Sequence, residues 1–106
     1  MKRFFQIAMG LGTILALGAL GLWAQEGKDL YLDKCAACHG PDGAGKTAKG
    51  KKLKMKDVHE TVTKIKAEEM VKIVTEGKGA DMDSYGKQLT KPQIQSVVDY
   101  YRSLAK

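Results

Sequence analysis

Cysteine is scarce in this chain: among 106 residues only Cys35 and Cys38 carry thiols. Three positions apart, they cannot staple distant segments, which excludes the disulfide framework that holds many small exported domains together. With no second cysteine pair, a four-cysteine zinc site is excluded. Acidic side chains are absent before position 25, and charge of either sign is absent from residues 4–23. No stretch carries the alternating pattern of a strand, so a βαβ context is missing. Internal repeats and low-complexity tracts are absent too. No nucleic-acid motif or aromatic-studded basic stretch occurs, so no nucleic-acid partner is expected.

What the first residues do contain is a basic start, Lys2 and Arg3, then an apolar run ending in Leu22-Trp23-Ala24. That is the order of a secretory signal peptide, with cleavage expected after Ala24. An uncleaved membrane anchor is the alternative, because a run of about 20 apolar residues just spans a bilayer. Gly10, Gly12, Gly18 and Gly21 within it would make a poor permanent helix and favour cleavage. The domain division is therefore 1–24 as signal and 25–106 as one small domain. The chain is expected in the periplasm, or anchored in a membrane and facing the periplasm.

The mature segment keeps 16 basic and 12 acidic side chains, a charge of +4. A domain of 82 residues buries a modest fraction of its surface and commonly needs a metal, a disulfide or a cofactor to complete its core. Lys28 to Ala37 predicts a helix with Leu30 and Tyr31 on one apolar stripe. Gly40 to Lys56 is rich in Gly and Lys without apolar periodicity and predicts a loop with at most a short helical turn. Ala67 to Glu76 predicts a second helix: Glu68 and Glu69 suit its positive end, Met70, Ile73 and Val74 share a face, and Gly77 ends it. Gly77 to Leu89 is irregular. The last helix is the clearest, with Thr90 and Gln93 as a capping box, Pro92 in the first turn, and Ile94, Val97, Val98, Tyr101 and Leu104 at helical spacing. The fold class is all-α, with three to five short helices joined by long loops, and such loops need something to organise them.

Cys35-Ala36-Ala37-Cys38-His39 supplies it: CxxCH is a haem-attachment motif. Two thiols three residues apart on a helical turn reach the two vinyl groups on one porphyrin edge, and the next residue is carried beneath the iron. His39 is then the proximal ligand. A thiol-disulfide oxidoreductase using Cys35 and Cys38 is the alternative from another class, and it would need a strand-to-helix junction and a lowered thiol pKa. For the second axial ligand the mature chain offers Met55, Met70, Met82 and His59. Met70 sits on the apolar face of a predicted helix, where packing is the better reading. Met55 lies in a lysine run, and His59 has the plain reading of a solvent-facing loop histidine.

From the motif outwards the chain resembles class I cytochromes c, particularly the short bacterial, c6-like monohaem kind. The resemblance rests on Gly27 to Tyr31, on Cys35 to Gly45 (CAACHGPDGAG), on Glu68 to Gly79 (EEMVKIVTEGKG) and on Leu89 to Lys106 (LTKPQIQSVVDYYRSLAK). It implies helices wrapped around one covalent haem c, with Met82 as the distal iron ligand and His59 as the alternative. It also implies a right-angle crossing of the first and last helices, where a small residue of the first lets an aromatic of the last approach closely, with Gly27, Tyr31 and Tyr100 in those places. The family usually has Pro after its axial methionine, where this chain has Asp83. A family backbone carbonyl, often a proline's, accepts the Nδ1 proton of the haem histidine. Pro41 lies nearer to His39 than the family's proline does, so that acceptor is not assigned.

A haem with both axial positions filled leaves no place for substrate. The function expected is a monomeric, non-enzymatic carrier of single electrons, or a membrane-tethered haem subunit of a respiratory or dehydrogenase complex. A peroxidase-like enzyme would need a distal acid or base, and only His59 could serve. Lys46, Lys49, Lys51, Lys52, Lys54 and Lys56 fall within eleven residues that hold no acid. This run is either a solvated loop or a steering patch for redox partners with acidic docking surfaces.

Overall fold

The structure, a computed structural model, describes residue 22 and residues 24–106. The segment assigned to a signal peptide lies outside the described residues apart from Leu22 and Ala24, which are helical and exposed. Six helices follow one another among the described residues. They are α1 (residues 24–34), α2 (Ala36–His39), α3 (Ala48–Lys52), α4 (Val58–Lys64), α5 (Ala67–Glu76) and α6 (Lys91–Ser103). The only β pairing among these residues is an isolated bridge between Lys78 and Met82. The all-α class is as expected, but the helix count exceeds three to five. The stretch foreseen as one helix from Lys28 to Ala37 is broken at Cys35, and α4 was not foreseen.

α5 and α6 form the centre. In α5 the acidic Glu68 and Glu69 occupy the first turn, Met70 and Val74 fall one turn apart on the buried face, and Gly77 closes the helix at φ 81°. α6 starts with both bonds of its capping box, the Gln93 N–H to Thr90 Oγ1 at 3.2 Å and the Thr90 N–H to Gln93 Oε1 at 2.8 Å. Its buried face is Ile94, Val97 and Val98. Met70, Val74, Leu89, Ile94 and Val98 make one core cluster. Full burial of side chains of this size stabilises by about 1.5–3 kcal/mol each.

α1 lies against α6 through its smallest residue. A Cβ on Gly27 would stand 2.5 Å from the Ser96 carbonyl oxygen, so only glycine permits the approach. One turn further along each helix, Tyr31 packs against Tyr100 at 5.3 Å between ring centres and against Tyr101 at 6.0 Å. The Tyr31 hydroxyl, fully buried, donates to the Gly40 carbonyl at 2.6 Å and so ties α1 to the chain leaving α2. The contact of first and last helices implied by the resemblance is present, but the notch at Gly27 is filled by the Ser96 main chain rather than by an aromatic, and Tyr100 packs on Tyr31 instead.

Residues 57–64 show how tertiary context overrides a weak local pattern. Four of the seven α4 residues are β-branched, which lowers helix propensity. Asp57 offsets this as N-cap, its carboxylate accepting from the His59 N–H at 2.8 Å. Val58 is completely buried, and its N–H donates to the Gly43 carbonyl at 2.8 Å.

Candidate functional site

A cavity of about 300 Å³, at the lower end of the range for small-molecule sites, is lined by residues of α1, the motif turn, α5, α6 and the 78–82 turn. Cys35 and His39 line it from the motif helix, Tyr31 and Tyr101 from behind, and Met70, Ile73 and Val74 from α5. Met82 faces the same space from the turn, and Met55 from the segment after α3. Of the four candidates for a second axial ligand, all three methionines therefore reach the cavity. Met70 also belongs to the packed core and lies 3.8 Å from the Arg102 guanidinium.

His59 does not reach it. It is an exposed residue of α4, not of a loop, and its Nδ1 lies 2.8 Å from the Asp57 carboxylate. No distal acid or base at the cavity comes from this residue.

α2 is a single turn, too short to hold itself, and its support comes from α3. Thr47 Oγ1 lies 2.7 Å from the Ala37 carbonyl and 3.3 Å from that of Cys38, while accepting the Gly50 N–H at 2.9 Å. One hydroxyl thus clamps the end of α2 to the start of α3. Buried Gly50 lets α3 come this close, because a Cβ there would strike the carbonyls of Cys38 and Gly45. Thr47 carries no sequence signal beyond being a threonine directly before Ala48 in a stretch without apolar pattern.

His39 stands edge-on to the Tyr101 ring at 5.3 Å. Its Nδ1 is buried without a hydrogen-bond partner, so Pro41, which is exposed, does not supply the missing acceptor. Burial lowers the imidazole pKa and keeps the ring neutral, the form that coordinates a metal. Cys35 and Cys38 are both free and half-buried. Burial pushes the Cys35 thiol up to about 11, with Cys38 adding and Lys34 opposing. A redox dithiol needs the reverse, a depressed pKa on its first cysteine. Cys38 does not line the cavity but lies on the same short turn.

The turn that carries Met82 is well held. Lys78 and Met82 exchange main-chain bonds at 2.9 and 3.4 Å. The Tyr85 and Gly86 N–H groups donate to the Val74 and Thr75 carbonyls of α5 at 2.9 and 3.0 Å, and Ser84 Oγ adds a bond to Thr75 at 2.7 Å. The Tyr85 hydroxyl reaches the Lys34 carbonyl at 3.3 Å, beside Cys35. Asp83, in the place of the family's proline, is exposed.

A largely apolar cavity, two free thiols on one turn, a neutral imidazole with an unpartnered nitrogen and methionines among the lining residues all fit a haem attached through CxxCH. Cys35 and Cys38 would hold it, with His39 and a methionine at the iron. Comparison with known proteins agrees. A solved structure, the KustC0563 c-type cytochrome, superposes with a TM-score of 0.69 at 29% identity, covering 76% of this chain and 98% of that one. Residues 23–100 match the family model described as cytochrome C oxidase, cbb3-type, subunit III. The chain belongs to this cytochrome c family, and its cofactor is covalently bound haem c.

Proposed function

We propose that the chain is an exported carrier of single electrons, with its haem joined to Cys35 and Cys38 and its iron held by His39 and Met82. Bound haem supplies a one-electron iron couple. The residues of the chain do the rest. The α2 turn, pinned by Thr47 and Gly50, fixes His39 relative to the two thioethers. Tyr101 limits rotation of the imidazole. The 78–82 turn, anchored to α5 and through Tyr85 to α1, presents Met82 to the same cavity, and the apolar lining would keep water from the iron. With His39 and Met82 both binding the metal, the chain would leave it no place for a substrate, and the haem would serve single-electron exchange.

The observation that carries this reading is that His39 of the motif turn and Met82 of the 78–82 turn line one cavity. Met55 and Met70 line it too, so the assignment is tested by replacing each methionine with alanine in haem-loaded protein. Met82→Ala is expected to abolish the methionine-to-iron charge-transfer band, to lower the midpoint potential and to admit external imidazole. Met55→Ala and Met70→Ala are expected to keep the band. A band that survives in Met82→Ala and vanishes in another variant overturns the ligand assignment.

The name of the matching family favours a second reading, in which the chain is a haem subunit of a larger membrane assembly. The two differ in the fate of residues 1–24: cleavage after Ala24 makes a free periplasmic carrier, and retention makes a tethered one. Among the described residues no helix is long and apolar enough to cross a membrane. Lys46, Lys49, Lys51 and Lys52, exposed on or just before α3, concentrate positive charge in this segment and suit a partner with an acidic docking surface.

A further inference from the structure

α3 ends against the preference of its own sequence. The Met55 N–H returns to the Gly50 carbonyl at 2.9 Å and the Lys54 N–H to the Lys51 carbonyl at 3.2 Å. These are the paired bonds of a Schellman ending, whose left-handed position strongly favours glycine. Here that position is Lys54, at φ 57°. It is the one non-glycine residue with positive φ among the described residues, and glycine occupies the other five such positions. A side chain kept where the backbone prefers none calls for a compensating role, and residues of this kind concentrate at binding sites.

Lys54 lines the cavity. The other charged groups on the lining are Lys56, Lys78 and Asp81, and all four are exposed, so they stand at its mouth. The remaining titratable groups facing the cavity beside the motif are the Tyr31 and Tyr101 hydroxyls, whose pKa values burial raises, so they stay neutral. Among the described residues no carboxylate lies within ion-pair distance of Lys54, Lys56 or Lys78. An apolar cavity with surplus positive charge at its mouth suits a flat apolar molecule that carries carboxylates along one edge. Haem is such a molecule, since its two propionates are its only ionised substituents.

We propose that Lys54 is held in the left-handed conformation because its ammonium group pairs with a haem propionate. The proposal rests on haem occupying the cavity, and colour retained on the denatured polypeptide verifies that in each variant separately. The test compares haem-loaded Lys54→Gly, Lys54→Gln, Lys54→Arg and, as control, Lys49→Gln on the exposed side of α3, by redox titration across a range of pH and by thermal melting. Loss of the cation favours oxidised iron, so Lys54→Gly and Lys54→Gln are expected to raise the oxidised-to-reduced ratio at a fixed applied potential roughly three- to tenfold. Without its cation the propionate pKa rises, so the bend in the potential-against-pH curve moves up by about one pH unit. Lys54→Arg is expected to keep both properties, and Lys49→Gln to change neither. A fully haem-loaded Lys54→Gly that melts higher than the parent, with ratio and pH curve unchanged, overturns the proposal. So does a Lys54→Arg that departs as far as Lys54→Gln.

Discussion

Replacing Gly50 by alanine sets two known effects against each other at the support of the haem-attachment turn. Alanine in a helix interior is favoured over glycine by about 0.8–1.0 kcal/mol. Against that, the added methyl would lie 2.6 Å from the Gly45 carbonyl oxygen and closer still to that of Cys38. Both obstacles are main chain, and the Cys38 carbonyl is itself engaged by Thr47, so neither can swing aside. Relief requires α3 to move away from α2, which weakens the Thr47 clamp. Overpacking of this kind costs about 1–3 kcal/mol, and rigid obstacles put this site at or beyond the upper end. The net expectation is a loss of about 2 kcal/mol or more, or a fall in Tm of at least about 8–16 °C for a domain of this size. Thermal melts of the haem-loaded protein by far-ultraviolet circular dichroism read it directly, with Lys49→Ala on the exposed face of α3 as control. A Gly50→Ala protein that melts at or above the parent temperature would refute the packing argument.

Three further outcomes are expected. Thr47→Val removes the helix cap and the bonds to Ala37 and Cys38 while keeping the shape, and should cost about 1–2 kcal/mol in a denaturant titration, with Thr47→Ser close to the parent. The Asp57 carboxyl is held below its ordinary pKa by the His59 backbone N–H and then by the His59 ring. Its contribution is therefore present above the ordinary carboxylate pKa and lost as pH falls through the depressed folded value; Asp57→Asn should flatten that part of a stability-against-pH curve. Changing Lys49, Lys51 and Lys52 together to Gln should flatten the salt dependence of electron exchange with an acidic partner protein, measured by stopped flow, and leave the midpoint potential nearly unchanged. An unaltered salt slope would show that this face is not where partners dock.

Much of the site was legible because its chemistry is local. CxxCH spans five consecutive residues, and α5 and α6 carry their start, stop and burial signals in their own sequences. The Ala67–Glu76 bounds and the Thr90 capping box were found where the sequence placed them. What could not be read depends on partners far along the chain. α4 is poor in helix formers and exists because Asp57 caps it and Val58 is buried beneath Gly43. The break at Cys35 arises where the chain turns into the cavity wall. Thr47 and Tyr85 hold the motif helix and the Met82 turn through bonds to residues 10 and 51 positions away, and no pattern within either segment announces them. Lys54 looked like one more lysine in a run until its backbone conformation set it apart.

The central claim is that Cys35 and Cys38 carry haem covalently, and the mass of the exported protein under denaturing conditions tests it most directly. The account predicts the mass of residues 25–106 plus one haem, with no mass loss on treatment with a thiol reductant. A bare polypeptide mass, or one lighter by two protons that returns to the free-thiol value on reduction, would contradict it and favour the dithiol chemistry instead.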